Sequence, residues 1–297
     1  METVIETRKL TKHFGAKLVV DHLDLSVPKG AIFALLGENG AGKTTTIRML
    51  TGLLAADHGS ATILGQDCWS AAQALRSRVA YVPERPRYYD WMTVAELGWF
   101  TAGFRARSFP EQFAQWLAKF QLDPKQRLSR LSKGQYAKVG LALALAVEPE
   151  VLILDEPTSG LDLLVRREFL TSMVGLAAEG RTILISSHQI AEVERVASHV
   201  AFLAKGRLLL AAPIEELKQR IIRLDLHYET DPPDAATLGT VLQRNGSGKH
   251  WQAVLQDPRA GALKSLHTTE GIHDLQETTL QLEDIYCALL AGKADEP

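Results

Sequence analysis

The residues Gly37-Glu38-Asn39-Gly40-Ala41-Gly42-Lys43-Thr44 fit the spacing G-x-x-x-x-G-K-[ST] between a buried apolar run and a helix-length segment. Glycines let successive backbone N–H groups curl around a phosphate, the helix N-terminus adds partial positive charge, and Lys43 supplies a full one. Thr44 can offer its hydroxyl to Mg²⁺, and Thr45 extends the phosphate-binding stretch into the first helical turn. A second constellation, Val151-Leu152-Ile153-Leu154-Asp155-Glu156, is an apolar strand ending in two carboxylates. Both acids emerge at the strand's carboxyl edge, where open α/β sheets place their ligands. Asp155 fits a Mg²⁺ ligand, acting through water, and Glu156 would then polarise the attacking water. Taken alone, the pair could equally cap a helix. Leu131-Ser132-Lys133-Gly134-Gln135 precedes a nearly all-apolar helix running to Val147. Ser132 is placed as its N-cap and Gly134 gives backbone access to an anion, although any serine before a helix looks this way.

These residues need a scaffold, and the apolar pattern describes one. Val4–Leu10 and the alternation Leu23, Leu25, Val27 read as opening strands. The run AIFALL from Ala31 is apolar throughout, the mark of a strand covered on both faces, and a helix is expected over Thr44–Leu54. Val79–Val82, Val151–Leu154, Thr182–Ile185 and Val200–Leu203 alternate with helix-length segments, which predicts a mostly parallel sheet. Strand signals vanish between Pro86 and Val147, where helices are expected over Thr93–Phe104 and Glu111–Phe120. Arg207–Ala211 reads as one more strand, and Pro213 starts a short helix that closes the first domain near Arg220. Beyond it the spacing predicts strand IIRLDLHYE, helix DAATLGTVLQRN, strand HWQAVLQD and a closing helix Leu280–Leu290. Gly246-Ser247-Gly248-Lys249 imitates a phosphate loop, but Gln243 and His250 occupy its Gly and Ser/Thr positions, so it reads as a hairpin turn. His267 and His273 lack the Cys-x-x-Cys pair of a zinc finger and suggest no metal site.

The ordered set GENGAGKT, LSKGQ, VLILDE, SGLD and a following histidine resembles the ATP-binding subunit of an ABC transporter over about residues 1–220. The resemblance implies an α/β fold: a P-loop NTPase of ABC type with a helical subdomain over about 87–148 and a small C-terminal α+β accessory domain over 221–297. It implies ATP and Mg²⁺ as cofactors and a dimer in which each LSGGQ-type segment contacts the nucleotide bound by the opposite subunit. On that basis Phe14 corresponds to the aromatic that stacks on adenine, and Ser159-Gly160-Leu161-Asp162 to the loop joining the two sites. His188 corresponds to the switch histidine facing the γ-phosphate. Glu84 stands where the family's loop ends in Gln, near Mg²⁺, and Lys133 replaces the first Gly of LSGGQ; both variants, with the tail Leu282-Glu283-Asp284-Ile285-Tyr286, resemble the ABC-2-type exporter branch. The expected catalytic residues are Glu156, His188 and Lys43. The expected metal ligands are Thr44, Glu84 and Asp155, and Ser132, Lys133, Gly134, Gln135 and Asp162 complete the nucleotide contacts.

Composition narrows the partners. The 297 residues carry 33 Lys+Arg against 35 Asp+Glu, a formal charge of −2, which argues against a nucleic-acid partner. Only Cys68 and Cys287 are present, so no disulfide framework is expected and a cytoplasmic setting is the natural reading. The opening METVIETRKLTKHF lacks a signal peptide's apolar stretch, and the run Val139–Val147 is far too short to span a bilayer. The resemblance implies a separate membrane-spanning permease subunit that holds this chain at the cytoplasmic face of the membrane, and a second ATP-binding subunit, in the simplest case another copy of this chain. Eleven of the 20 aromatic residues lie between Tyr81 and Phe120, and some of them must be core. The resemblance implies that the segment after the Glu84 loop receives a short coupling helix of the permease, and because aromatics are favoured interface anchors Tyr88–Trp91 is the expected contact. A soluble ABC-type ATPase is the alternative; a small-molecule kinase would leave the signature, SGLD and His188 without a role.

Overall fold

In the computed structural model, which describes residues 2–229 and 231–292, strands β1 (Thr3–Phe14), β2 (Lys17–Pro28) and β3 (Ile32–Leu36) lead to helix α1 (Lys43–Leu50). Strands β4 (His58–Ile63) and β5 (Gln66–Asp67), helix α2 (Ala72–Leu75) and strand β6 (Val79–Val82) follow. A helical stretch comprises α3 (Val94–Ala102), α4 (Phe109–Lys119) and α5 (Lys133–Leu145). The chain then alternates β7 (Val151–Asp155), α6 (Leu163–Ala178), β8 (Thr182–Ser187), α7 (Ile190–Val193), β9 (His199–Ala204) and β10 (Arg207–Pro213). Two compact units result, Met1–Ala211 and Ala212–Pro297. No helix among the described residues is long and apolar enough to cross a membrane.

The first unit holds a six-stranded sheet of order β10-β9-β3-β8-β7-β6, in which the pairs β9/β3, β3/β8, β8/β7 and β7/β6 are parallel. A separate antiparallel sheet has the order β2-β1-β4-β5. The uniform hydrophobicity of the parallel strands has a direct cause: alternate residues face two different cores. Phe33, Leu35, Val151, Ile153 and Leu184 pack with Ile47, Met49 and Leu50 of α1 and with the antiparallel sheet. Their neighbours Ile32, Leu152, Leu154, Ile183 and Ile185 pack with apolar residues of α3, α4, α5 and α6. Each such fully buried side chain stabilises the fold by about 1.5–3 kcal/mol. Helix α3 begins at a capping box in which Thr93 and Glu96 bond each other's backbone N–H. It can approach α4 closely because residue 98 is glycine; a Cβ there would lie 2.3 Å from the Phe113 ring.

The expected helices are present with shifted ends. Helix α1 stops at Leu50 rather than Leu54, where Gly52 turns left-handed (φ +65°) and leaves no room for a Cβ beside Cys68 O at 2.6 Å.

The second unit contains α8 (Ile214–Arg220), β11 (Ile221–Tyr228), α9 (Ala235–Leu238), β12 (Thr240–Ser247), β13 (His250–Gln256), α10 (Ala260–His267), β14 (Ile272–Thr279) and α11 (Leu282–Gly292). Its sheet is antiparallel with order β12-β13-β11-β14, the arrangement of a βαββαβ ferredoxin-like unit followed by a helix. The unit begins at Ala212, ahead of the boundary expected near Arg220, because α8 runs straight into β11. Arg220 donates to Asp257 at 2.7 and 3.1 Å, and its carbonyl accepts from Asp257 N–H at 2.7 Å.

The helix expected over 234–245 is corrected: only Ala235–Leu238 is helical, and Thr240–Ser247 is a strand. Gly239 is fully extended, and β12 pairs with β13 from Thr240↔Gln256 to Ser247↔His250. Gly248 and Lys249 form the two-residue turn between them, as the hairpin reading anticipates.

Candidate functional site

Strands β3, β6, β7 and β8 run parallel and end together, with Leu36 opposite Ser187, Val82 opposite Leu154 and Asp155 opposite Ser186. Residues far apart in sequence therefore leave the sheet at one edge: the Gly-rich loop after β3, Glu84 after β6, the acid pair at the end of β7 and His188 after β8. Carboxyl edges of parallel sheets are where such folds bind ligands.

The loop's shape depends on two glycines. A Cβ on Gly37 (φ +156°) would sit 2.3 Å from Leu203 O, and one on Gly42 (φ +105°) 2.8 Å from Val19 O. Gly42 is the N-cap of α1, which has no side-chain cap and no acidic residue in its first turn, so its N–H groups and partial positive charge remain available to an anion. Lys43 is buried and its Nζ donates to Gly37 O at 2.7 Å and Glu38 O at 3.2 Å. Glu38, Asn39 and Gly40 are exposed, whereas Ala41 is buried and Thr44 and Thr45 are half-buried.

The acids are held differently. Asp155 is 1% exposed, and its Oδ1 accepts from Ser186 Oγ at 2.6 Å and Thr44 Oγ1 at 3.1 Å. Burial pushes its carboxyl above the usual range; the two hydroxyls oppose this, while the charges of Glu156 and Glu84 add to it. Glu156 has a left-handed backbone (φ +46°), a conformation that costs a non-glycine residue about 1 kcal/mol or more. Its N–H donates to Ser186 Oγ at 2.9 Å and lies 3.2 Å from Ser186 O. That turn aims its carboxylate between two partners: Oε2 lies 2.8 Å from His188 Nδ1, and Oε1 lies 3.1 Å from Lys43 Nζ. The Lys43 contact is an ion pair without hydrogen-bond alignment.

Thr44, Asp155 and Glu84 offer hydroxyl and carboxylate oxygens, the donor set Mg²⁺ prefers. A buried carboxylate whose hydrogen-bond partners are two hydroxyls fits such a cation. Glu84 is exposed, ion-paired to Arg85 at 3.4 Å, and near enough to act on Asp155.

The 132–135 segment sits elsewhere. Ser132 and Gln135 form a capping box on α5, Ser132 Oγ accepting from Gln135 N at 3.2 Å and Gln135 Oε1 from Ser132 N at 3.0 Å. Gly134 lies against α6, since a Cβ there would be 2.6 Å from Val165 Cγ1, and one on Gly160 would be 3.8 Å from Lys133 Nζ. Asp162 caps α6 by accepting from Val165 N at 3.1 Å. Signature and SGLD loop are thus neighbours, while among the described residues no hydrogen bond or ion pair joins 132–135 to Gly37–Thr45. Phe14 is 51% exposed at the end of β1, with Lys12 Nζ 5.9 Å from its ring centre.

The aromatic segment needs one correction. Tyr88 turns inward, its ring against Tyr136 (5.2 Å between centres) and its N–H on Tyr136 Oη at 3.1 Å. Burial is the main cause that pushes its phenol far up. Tyr89, Trp91, Phe100 and Phe104 instead form an exposed chain of ring contacts with centres 5.6–6.2 Å apart, and Trp99 beside them is 80% exposed. Sequence reasoning also missed Ser186, whose signal is a pair of polar residues following the apolar run Ile183–Ile185 in a buried strand just before His188.

A family model described as ABC transporter matches residues 20–159. The bacitracin transport ATP-binding protein BcrA of Bacillus licheniformis is 34% identical, over 98% of this chain and 99% of its own length. The daunorubicin/doxorubicin resistance ATP-binding protein DrrA of Streptomyces peucetius is 32% identical, over 98% and 94%. Among solved structures, an ATP-binding subunit of an ABC transporter shares 30% identity with a TM-score of 0.66, covering 73% of this chain and 92% of that one.

Proposed function

The chain belongs to the ABC transporter family, and from that premise we propose that it binds and hydrolyses Mg²⁺-ATP as one of a pair of subunits driving a membrane-spanning exporter of the ABC-2 type. The full-length similarity to BcrA and DrrA, named for bacitracin transport and drug resistance, supports export over a soluble role. It works at the cytoplasmic face, held there by the permease.

The observation that carries the reading is the convergence of Lys43 and His188 on Glu156, one residue from an Asp155 bonded to Thr44. The Gly37–Thr45 backbone and Lys43 bind the phosphates, and Phe14 offers its exposed face to the adenine. Thr44, Asp155 and Glu84 hold Mg²⁺, which supplies charge neutralisation at the phosphates. Glu156 orients the attacking water and takes its proton, and His188 holds the Glu156 carboxylate in place. Ser132, Lys133, Gly134 and Gln135, with Asp162 beside them, complete the partner subunit's site.

Lys43→Ala should weaken ATP binding by about 2–3 kcal/mol, the scale of a lost charge-assisted contact, roughly a hundredfold in Kd. Calorimetry on folded protein checks this, and an unchanged Kd would remove the phosphate-loop assignment.

The exposed rings Tyr89, Trp91, Phe100 and Phe104 are the docking surface for the permease. Beside the Tyr88 region a groove of about 340 Å³ runs between α1 and α5, lined by Leu50, Leu53, Leu75, Tyr81, Tyr88 and Leu143 among others, and suits a short helix of the permease. Buried aromatics dominate such interfaces. Trp91→Ala should therefore cost about 2 kcal/mol or more of permease affinity, roughly thirtyfold, while the isolated chain's ATPase rate holds. Co-purification with the permease measures it; undiminished recovery would move the docking surface elsewhere.

A further inference from the structure

One buried hydroxyl serves both acids of the site. Ser186, near the end of β8, is 0% exposed. Its Oγ spends its single proton on Asp155 Oδ1 at 2.6 Å and accepts the Glu156 N–H at 2.9 Å. The first distance is that of a charge-assisted O–H···O⁻ bond. Because Thr44 also bonds Oδ1, two hydroxyls converge on one oxygen of Asp155, and no described residue hydrogen-bonds the other. The carboxylate plane is thereby fixed with Oδ2 left for a ligand. The second bond acts on backbone strain: a left-handed non-glycine residue persists only where its surroundings hold it. At Glu156 the N–H is held by Ser186, through Oγ and its own carbonyl, while the Glu156 carbonyl accepts from Ser159 N–H at 3.0 Å.

We propose that Ser186 is the positioning residue of this site, orienting Asp155 toward the metal and locking the turn that aims Glu156. The proposal rests on the reading of Asp155 as metal carrier given above. Residues that orient a metal's ligands typically contribute about 10- to 100-fold in metal affinity. A hydroxyl that merely filled space would show no such preference.

The test compares Ser186→Ala and Asp155→Asn in the full chain. Nucleotide affinity is measured in EDTA, and Mn²⁺ affinity by the electron-spin-resonance signal of free Mn²⁺, with ADP held below the protein concentration so that all of it is bound. Ser186→Ala should leave metal-free ADP affinity unchanged and weaken Mn²⁺ binding by about 10- to 100-fold. Wild-type Mn²⁺ affinity in Ser186→Ala, with a loss in Asp155→Asn, would overturn the proposal and leave the metal site standing. An equal loss of metal-free ADP affinity would make the hydroxyl a prop for the fold and also overturn it. Undiminished Mn²⁺ affinity in Asp155→Asn would remove the metal reading itself, and the proposal with it.

Discussion

Glu156→Gln is expected to lower ATP turnover by about two to four decades, the span of general-base catalysis, while ATP affinity holds. Glutamine keeps the size of the side chain and the backbone N–H bonds to Ser186, so the left-handed turn at Glu156 survives. What disappears is the negative charge and the proton-accepting oxygen. In the wild-type protein that charge sits 3.1 Å from Lys43 Nζ, competing with phosphate for the same cation. Its removal therefore gives no reason for weaker ATP binding, because Lys43 keeps its carbonyl partners Gly37 and Glu38 and gains freedom toward the nucleotide. Binding and chemistry should separate, and the variant should collect as an ATP-bound dimer in size-exclusion chromatography run with ATP. Near wild-type turnover would take Glu156 out of the water-activating role.

The parallel sheet was legible because its strands are buried on both faces. Ile32 and Phe33 face different cores, so AIFALL is apolar throughout; such a run cannot be told from a buried helix by periodicity, and its short length and the Gly-rich turn after it decide for a strand. The phosphate loop was legible for a local reason: its glycines, lysine and threonine act within eight consecutive residues. Ser186 acts through register instead. Its partners Asp155 and Glu156 are about thirty residues away and meet it only because β7 and β8 are neighbours with Asp155 opposite Ser186. The left-handed backbone of Glu156 is likewise a product of that pairing, and the acid pair's residue types do not announce it.

The accessory unit misled by the same logic in reverse. Leu238, Val241 and Leu242 are spaced as on one face of a helix. Pairing with β13 outweighs that weak local preference: Val241 joins Leu255, Leu226 and Trp251 in the unit's own core, and Gly239 supplies the extended break. An aromatic run carries no sign of which ring turns inward, so Tyr88 reads like its neighbours in sequence; Tyr136, 48 residues on, decides its place.

Two inactive variants, Ser132→Arg and Lys43→Ala, should restore activity when mixed. In a two-site sandwich each nucleotide lies between the phosphate loop of one subunit and the 132–135 segment of the other. A mixed dimer then places both lesions in one composite site and neither in the other. With random pairing of equal amounts and independent sites, about a quarter of wild-type activity should return from a twofold-symmetric assembly. Ser132 is also the N-cap of α5, so its replacement by Arg removes a cap worth about 1 kcal/mol and could lower activity by destabilising the helix alone. Complementation separates the two effects. A merely destabilised subunit still has to lend a sound phosphate loop for activity to return, and only an opposite-subunit role for Ser132 makes the Lys43→Ala partner able to supply what is missing. For a site completed within one chain, the mixture would show only the summed residual rates of the two variants, and the sandwich would have to be abandoned. Differently tagged subunits, captured through one tag and detected through the other, establish beforehand that mixed dimers form.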